Sequence, residues 1–172
     1  MRRFECSAIL LDLDGVLAAP GADRVLGALP PGSWAVVTTG RRASAAVRLR
    51  LAGLPVPEVL VAAEEVRHGT ADPGGYLRAA EALGVVPGRC LVVDGAPAGL
   101  EAARAAGMTA LGLTTTHPDA ELAATVLVPD LTRVYLGRME PEAGGSWRLE
   151  VLVVEASAPL ATARPFAPVS RR

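Results

Sequence analysis

Six short runs of this chain have wholly apolar centres: Ser7–Asp12, Trp34–Thr38, Glu58–Val61, Cys90–Asp94, Thr109–Leu113 and Thr125–Val128. A strand with one wet face alternates polar and apolar residues. A strand that does not alternate needs cover on both faces, as in a parallel sheet clad by helices. The intervening segments supply that cover. Arg42–Ala52 is expected to be helical, with Ala46, Val47, Leu49 and Leu51 in its apolar band and a stop at Gly53. Pro73–Leu83 opens on proline and closes at Gly84, and Pro97–Ala106 closes at Gly107, the proline-first, glycine-last signature of helices. Pro20–Pro31 reads as one short helix and a turn. The pattern predicts an α/β domain built as a three-layer, doubly wound parallel sheet.

Beyond Arg133 the pattern changes. Val134–Met139 and Trp147–Val154 flank Pro141–Ser146, which contains Gly144-Gly145, and predict a C-terminal β-hairpin added to the sheet edge. Residues 1–158 are expected to form a single domain. Pro159, Pro165, Pro168 and the final Arg171-Arg172 mark 159–172 as a mobile tail.

At 172 residues the chain can bury a real core. With only 3% aromatic residues, that core must be made of Ala, Val and Leu. The net charge is −1 and the arginines are scattered, which excludes nucleic acid as an expected partner. Cys6 and Cys90 are expected to be reduced core thiols. The apolar run Ala8–Leu11 is too short for a signal peptide, and no stretch reaches the ~20 residues of a membrane span. A cytoplasmic location without a membrane partner is therefore expected.

In such a sheet, ligands sit beyond the carboxyl ends of the strands. Asp12, Thr38 and Asp94 each close a predicted strand, so they should face one crevice. Asp12 is placed to attack a phosphoryl group and form an aspartyl phosphate. Asp14 is placed to protonate the leaving oxygen and then to activate water. Gly15 is expected to let the chain turn tightly just after them. The Thr38 hydroxyl and the amides of Thr39 and Gly40 are candidates for holding phosphate oxygens near a helix start.

Asp12-Leu13-Asp14-Gly15-Val16-Leu17 resembles the first motif of the haloacid dehalogenase-like (HAD) hydrolases, and Trp34–Gly40 resembles their second. Ala63–Leu77, Arg89–Leu100 and Gly107–Pro118 are similar to later segments of the small sugar-phosphate and phosphoglycolate phosphatases of that superfamily. The likeness spans most of residues 6–134, in order. It implies a HAD-like Rossmannoid core and a magnesium-dependent phosphoric monoester hydrolase acting on a small phosphorylated molecule. Asp12, Asp14 and Asp94 are then the candidate metal ligands.

The departures from the family pattern are specific. Where the family reads Gly-Lys-Pro-Asp-Pro, this chain has Gly69-Thr70-Ala71-Asp72-Pro73, and all 17 of its Lys and Arg residues are arginine. Arg41, Arg42, Arg67 or His68 would have to replace the missing ammonium, and a planar guanidinium is a poor substitute for one. Where the family ends its fourth motif in Glu-Asp or Gly-Asp, this chain has Asp94-Gly95, so a glycine takes the ligand position. Strand alternation should aim Asp94 differently. The stretch from Asp14 to Thr38 is too short for the helical cap domain that sugar phosphatases insert there.

These departures predict phosphatase activity that is weak or lost. The alternative is a pseudoenzyme that binds a phosphorylated ligand or a protein. Three carboxylates without a cation predict at least one raised pKa. Apolar surface left bare by the missing cap predicts a second copy or a protein partner covering it. His68 and His117 read as surface loop residues, and Asp72-Pro73 as the start of a helix.

Overall fold

The computed structural model describes residues 1–66, 72–115, 117 and 122–155. The expected tail at 159–172 lies outside these residues, as do Arg67, His68 and Thr70. In chain order the strands are β1 (Arg2–Cys6), β2 (Ala8–Asp12), β3 (Trp34–Val37), β4 (Val59–Val61), β5 (Cys90–Asp94), β6 (Thr109–Leu113), β7 (Val126–Val128), β8 (Val134–Pro141) and β9 (Trp147–Val153). The α-helices are α1 (Leu13–Ala18), α2 (Ala22–Ala28), α3 (Arg42–Leu51), α4 (Gly74–Leu83) and α5 (Pro97–Ala105).

The six apolar runs form one parallel sheet in the order β4-β3-β2-β5-β6-β7. The chain winds outward from β2 through β3 and β4, then crosses back to β5 on the other side of β2. The carboxyl ends of β2 and β5 therefore flank the point where the winding reverses, which is where open α/β sheets bind ligands.

Alternation along each strand divides the core into two layers. Ala8, Leu10, Cys90 and Val92 pack beneath α4 and α5, against Tyr76, Ala79, Leu100 and Ala103. Ile9, Leu11, Leu91 and Val93 face the other way, toward Val16, Val25, Leu26 and Leu49. Both cysteines are free and buried.

Three expectations are corrected. The hairpin β8-β9 does not extend the parallel sheet, whose edge is β7. It joins β1 in a separate antiparallel sheet of order β1-β9-β8, and Leu149, Val151 and Val153 deliver that sheet's apolar face to the core. Arg24 of α2 fixes the sheet in place. It donates to the carbonyls of Leu131 and Val134 at 2.8 and 2.7 Å, and lies 5.0 Å from the Tyr135 ring centre. Second, Leu13–Ala18 is a short helix, not a tight turn at Gly15. Third, α3 buries Ala45 and Leu49, one turn apart, while Val47 and Leu51 are 50% and 83% exposed. Residues at i and i+4 share a face, and 47 and 51 lie on the opposite one.

Candidate active site

A cavity of about 570 Å³ opens where β2 and β5 end. Asp12, Thr38 and Asp94 all line it, together with Thr39, Asp72, Tyr76, Gly99 and His117. The three strand-end side chains predicted to share a crevice do share one.

Asp12 ends β2 and begins α1. Its Oδ2 accepts the Gly15 amide at 2.8 Å, which caps the helix and fixes the carboxyl. Burial, and next the nearby Asp94 charge, push its pKa up from 3.8 to about 7, against the Gly15 hydrogen bond. Asp14 lies in the first turn of α1 on the solvent side. It reaches the cavity rim, but its carboxylate pairs with Arg48 of α3 at 2.5 Å.

Thr38 is buried and its Oγ1 accepts the Gly40 amide at 3.0 Å. That bond removes Gly40 from the expected set of phosphate donors, because its N–H is already used. Thr38 and the exposed Thr39 still line the cavity. Asp72 Oδ1 accepts the Gly74 amide at 2.6 Å from one residue ahead of Pro73, which is itself the N-cap of α4. His117 lies in a bend, half-buried on the cavity wall, its Nδ1 2.8 Å from the Gly95 carbonyl oxygen.

Asp94 is buried, only 3% exposed. It continues the Cys90–Val92 face of β5 toward α4 and α5. Its Oδ2 accepts the Tyr76 hydroxyl at 2.5 Å and its Oδ1 accepts the Ala96 amide at 2.8 Å. A Cβ on Gly99 would stand 1.7 Å from Oδ2, so the glycine makes room for this carboxylate. Burial raises the Asp94 pKa, opposed by the bonds from Tyr76, Ala96 and Gly95 and by the His117 charge. Burial, then the Asp94 charge, pushes the Tyr76 hydroxyl well above its ordinary range.

A family model for haloacid dehalogenase-like hydrolases matches residues 8–107, the segment that carries β2, the crevice and α5. The chain belongs to the HAD-like hydrolases. Hexitol phosphatase A of Escherichia coli is 44% identical over 98 residues, covering 56% of this chain and 45% of that protein. Validoxylamine A 7'-phosphate phosphatase of Streptomyces hygroscopicus is 42% identical over 134 residues, covering 74% of this chain and 62% of that one. The chain thus spans roughly half the length of these relatives. Among solved structures, a hydrolase from Pseudomonas syringae superposes with a TM-score of 0.58 at 28% identity, covering 64% of this chain and 56% of that one.

HAD phosphatases generally use magnesium, which takes hard oxygen ligands in a near-octahedral set. The crevice does not fit that need. Of the three candidate ligands, only the Asp12 and Asp94 carboxyls are brought together. The Asp14 carboxylate pairs with Arg48, and the Asp94 carboxylate already accepts the Tyr76 hydroxyl and the Ala96 amide. Among the described residues, no group of three or more Asp, Glu, His or Cys side chains is placed to hold a metal ion. The described cavity lining also contains no arginine. Of the arginines considered as substitutes for the missing lysine, Arg42 is drawn to Glu65. Arg48, which approaches the rim at Asp14, is occupied by that carboxylate.

Sequence reasoning missed Tyr76. The signal was available: it is one of two tyrosines in the chain and stands in an otherwise Ala- and Leu-rich helix.

Proposed function

We propose that this HAD-like protein is a capless relative of the sugar-phosphate phosphatases in which phosphate-ester hydrolysis is weak or lost. The observation that carries this reading is the end of β5. Gly95 takes the position where the family resemblance expects a carboxylate, and Asp94 is tied to Tyr76 and Ala96 instead of facing a cation. Asp12 keeps the place of the nucleophile, at the end of the central strand. However, the described lining holds no arginine to neutralise an incoming phosphate dianion. Losing one preorganised charge-stabilising group typically costs about 10²–10³ in rate, and the sequence departs from the family pattern at two such positions, Thr70 and Gly95.

The cavity itself is preserved, which favours a second reading in which the crevice binds a small phosphorylated ligand without turning it over. α1 and α2 are joined by Ala19–Gly21 alone, which supports a site with no cap inserted at that point to read a sugar.

The test is hydrolysis of hexitol phosphates and other small sugar phosphates in magnesium, alongside E. coli hexitol phosphatase A. Turnover about 10²-fold or more below that enzyme is expected. Restoring the charges with Thr70→Lys and Gly95→Asp should raise it. Turnover matching the E. coli enzyme and abolished by Asp12→Ala would overturn the reading.

A further inference from the structure

α3 carries Arg42, Arg48 and Arg50 and no acidic residue, and Arg41 is its N-cap. Ser44 is the single hydroxyl on that helix, and it is exposed. It lies one turn before Arg48, and residues four apart on a helix are neighbours on its surface. It also follows Arg41 by three residues, the spacing at which a cap side chain and the third helical residue meet. Arg41 has no carboxylate partner among the described residues. Arg48 is held by Asp14 at the crevice rim. Ser44 thus stands between an uncommitted guanidinium and a committed one.

Along the chain the same residues read Arg41-Arg42-Ala43-Ser44. Paired guanidiniums just ahead of a hydroxyl suit the acidic substrate groove of an arginine-directed serine kinase. No side chain caps the start of α3, so its first turn can open to the extended form such a groove takes.

We infer that Ser44 is a phosphorylation site whose phosphate takes Arg48 from Asp14, so that the crevice rim is altered from outside the crevice. The serine Oγ attacks the γ-phosphorus of a nucleoside triphosphate held by the kinase. The new O–P bond replaces the bond to the β–γ bridging oxygen, the diphosphate leaves, and the hydroxyl proton passes to the kinase's base. The product carries a charge of about −1.5 to −2 near neutral pH. It can grip a guanidinium at two points, and it stands on Arg48's own helix. Asp14 offers one charge from a neighbouring helix. The inference goes beyond the phosphatase reading and does not depend on what the crevice hydrolyses.

The experiment incubates the purified full chain with ATP and the catalytic subunit of cyclic-AMP-dependent protein kinase, and maps the product by mass spectrometry. A phosphate on Ser44, absent from Ser44→Ala, is expected. An unmodified Ser44 overturns the site. The exchange of partners is read from the Arg48 guanidinium resonance of ¹⁵N-labelled protein, assigned by its loss in Arg48→Met. In the unmodified protein Asp14→Asn should move that resonance. After phosphorylation the resonance should shift and cease to respond to Asp14→Asn. A resonance that still follows Asp14 in the phosphorylated protein overturns the exchange. Arg48 and Asp14 are both exposed, so these variants should keep the fold. Neither readout uses hydrolysis, and the functional reading stands or falls on its own assay.

Discussion

Arg48 of α3 places its guanidinium nitrogen 2.5 Å from the Asp14 carboxylate, drawing the side chain expected to act as acid and base toward the solvent. Both partners are well exposed, at 45% and 66%. Exposed ion pairs are weak because water and salt screen them. Arg48→Met is therefore expected to lower stability by less than about 1 kcal/mol, measured as the urea midpoint multiplied by the slope. A larger loss would mean that the pair holds α1 against α3.

Asp12 carries a pH dependence of definite sign. Its carboxyl titrates at about 7 in the folded protein and near 3.8 otherwise, so folding favours the protonated form. The stability contributed by this group is fully present below 3.8 and is lost as pH rises through about 7. Asp94, whose pKa is also raised by burial, acts in the same direction. Urea unfolding should show greater stability at about pH 5 than at about pH 8, by an amount on the order of a few kcal/mol at most. Asp12→Asn should flatten the profile, and Asp94→Asn should shrink it by removing the charge that helps raise Asp12.

Two glycines in helices predict opposite outcomes. Gly99→Ala puts a methyl 1.7 Å from Asp94 Oδ2, and the carboxylate must leave its donors. Overpacking together with a buried acceptor left unpaired should cost about 2–4 kcal/mol. A Cβ on Gly27 in α2 would meet nothing within 4 Å. Gly27→Ala should stabilise by about 0.5–1 kcal/mol, through helix propensity and a less flexible unfolded chain. Urea midpoints of the two variants provide the comparison.

The thiols offer a fourth check. Burial pushes Cys6 up to about 12 and Cys90 up to about 11, so neither is a thiolate near neutral pH. Iodoacetamide at mildly alkaline pH should leave both unmodified in the folded protein and label both in urea, as read by intact mass. Labelling of either without denaturant would show that its strand opens locally.

The parallel sheet was legible because each of its strands is apolar on both faces, a pattern set by a few adjacent residues. Cys90–Asp94 and Thr109–Leu113 match their observed strands residue for residue. β1 was not legible. Arg2–Cys6 becomes a strand only by pairing with residues near 150, and no local pattern in it announces that partner. The hairpin was seen but misplaced for the same reason. In the crevice, strand-end positions identified Asp12, Thr38 and Asp94, because topology alone brings strand ends together. The Asp14–Arg48 and Asp94–Tyr76 bonds join side chains from different helices and strands. Their geometry depends on how α3 and α4 pack, which short-range patterns do not encode.

The pairing of β1 with β9 imposes an order on synthesis. β1 leaves the ribosome well before β9, and only Ser7 separates it from the central strand of the parallel sheet. That sheet can begin to assemble as β3 and β5 emerge, yet β1 must wait for a partner made far later, a long-range closure that slows the last stage of folding. During that interval its backbone edge is open to other nascent chains. Arg2, Arg3 and Glu5, which later pair with Glu155 and Glu150 or with each other, put charges along the waiting strand, a device that discourages edge-to-edge aggregation.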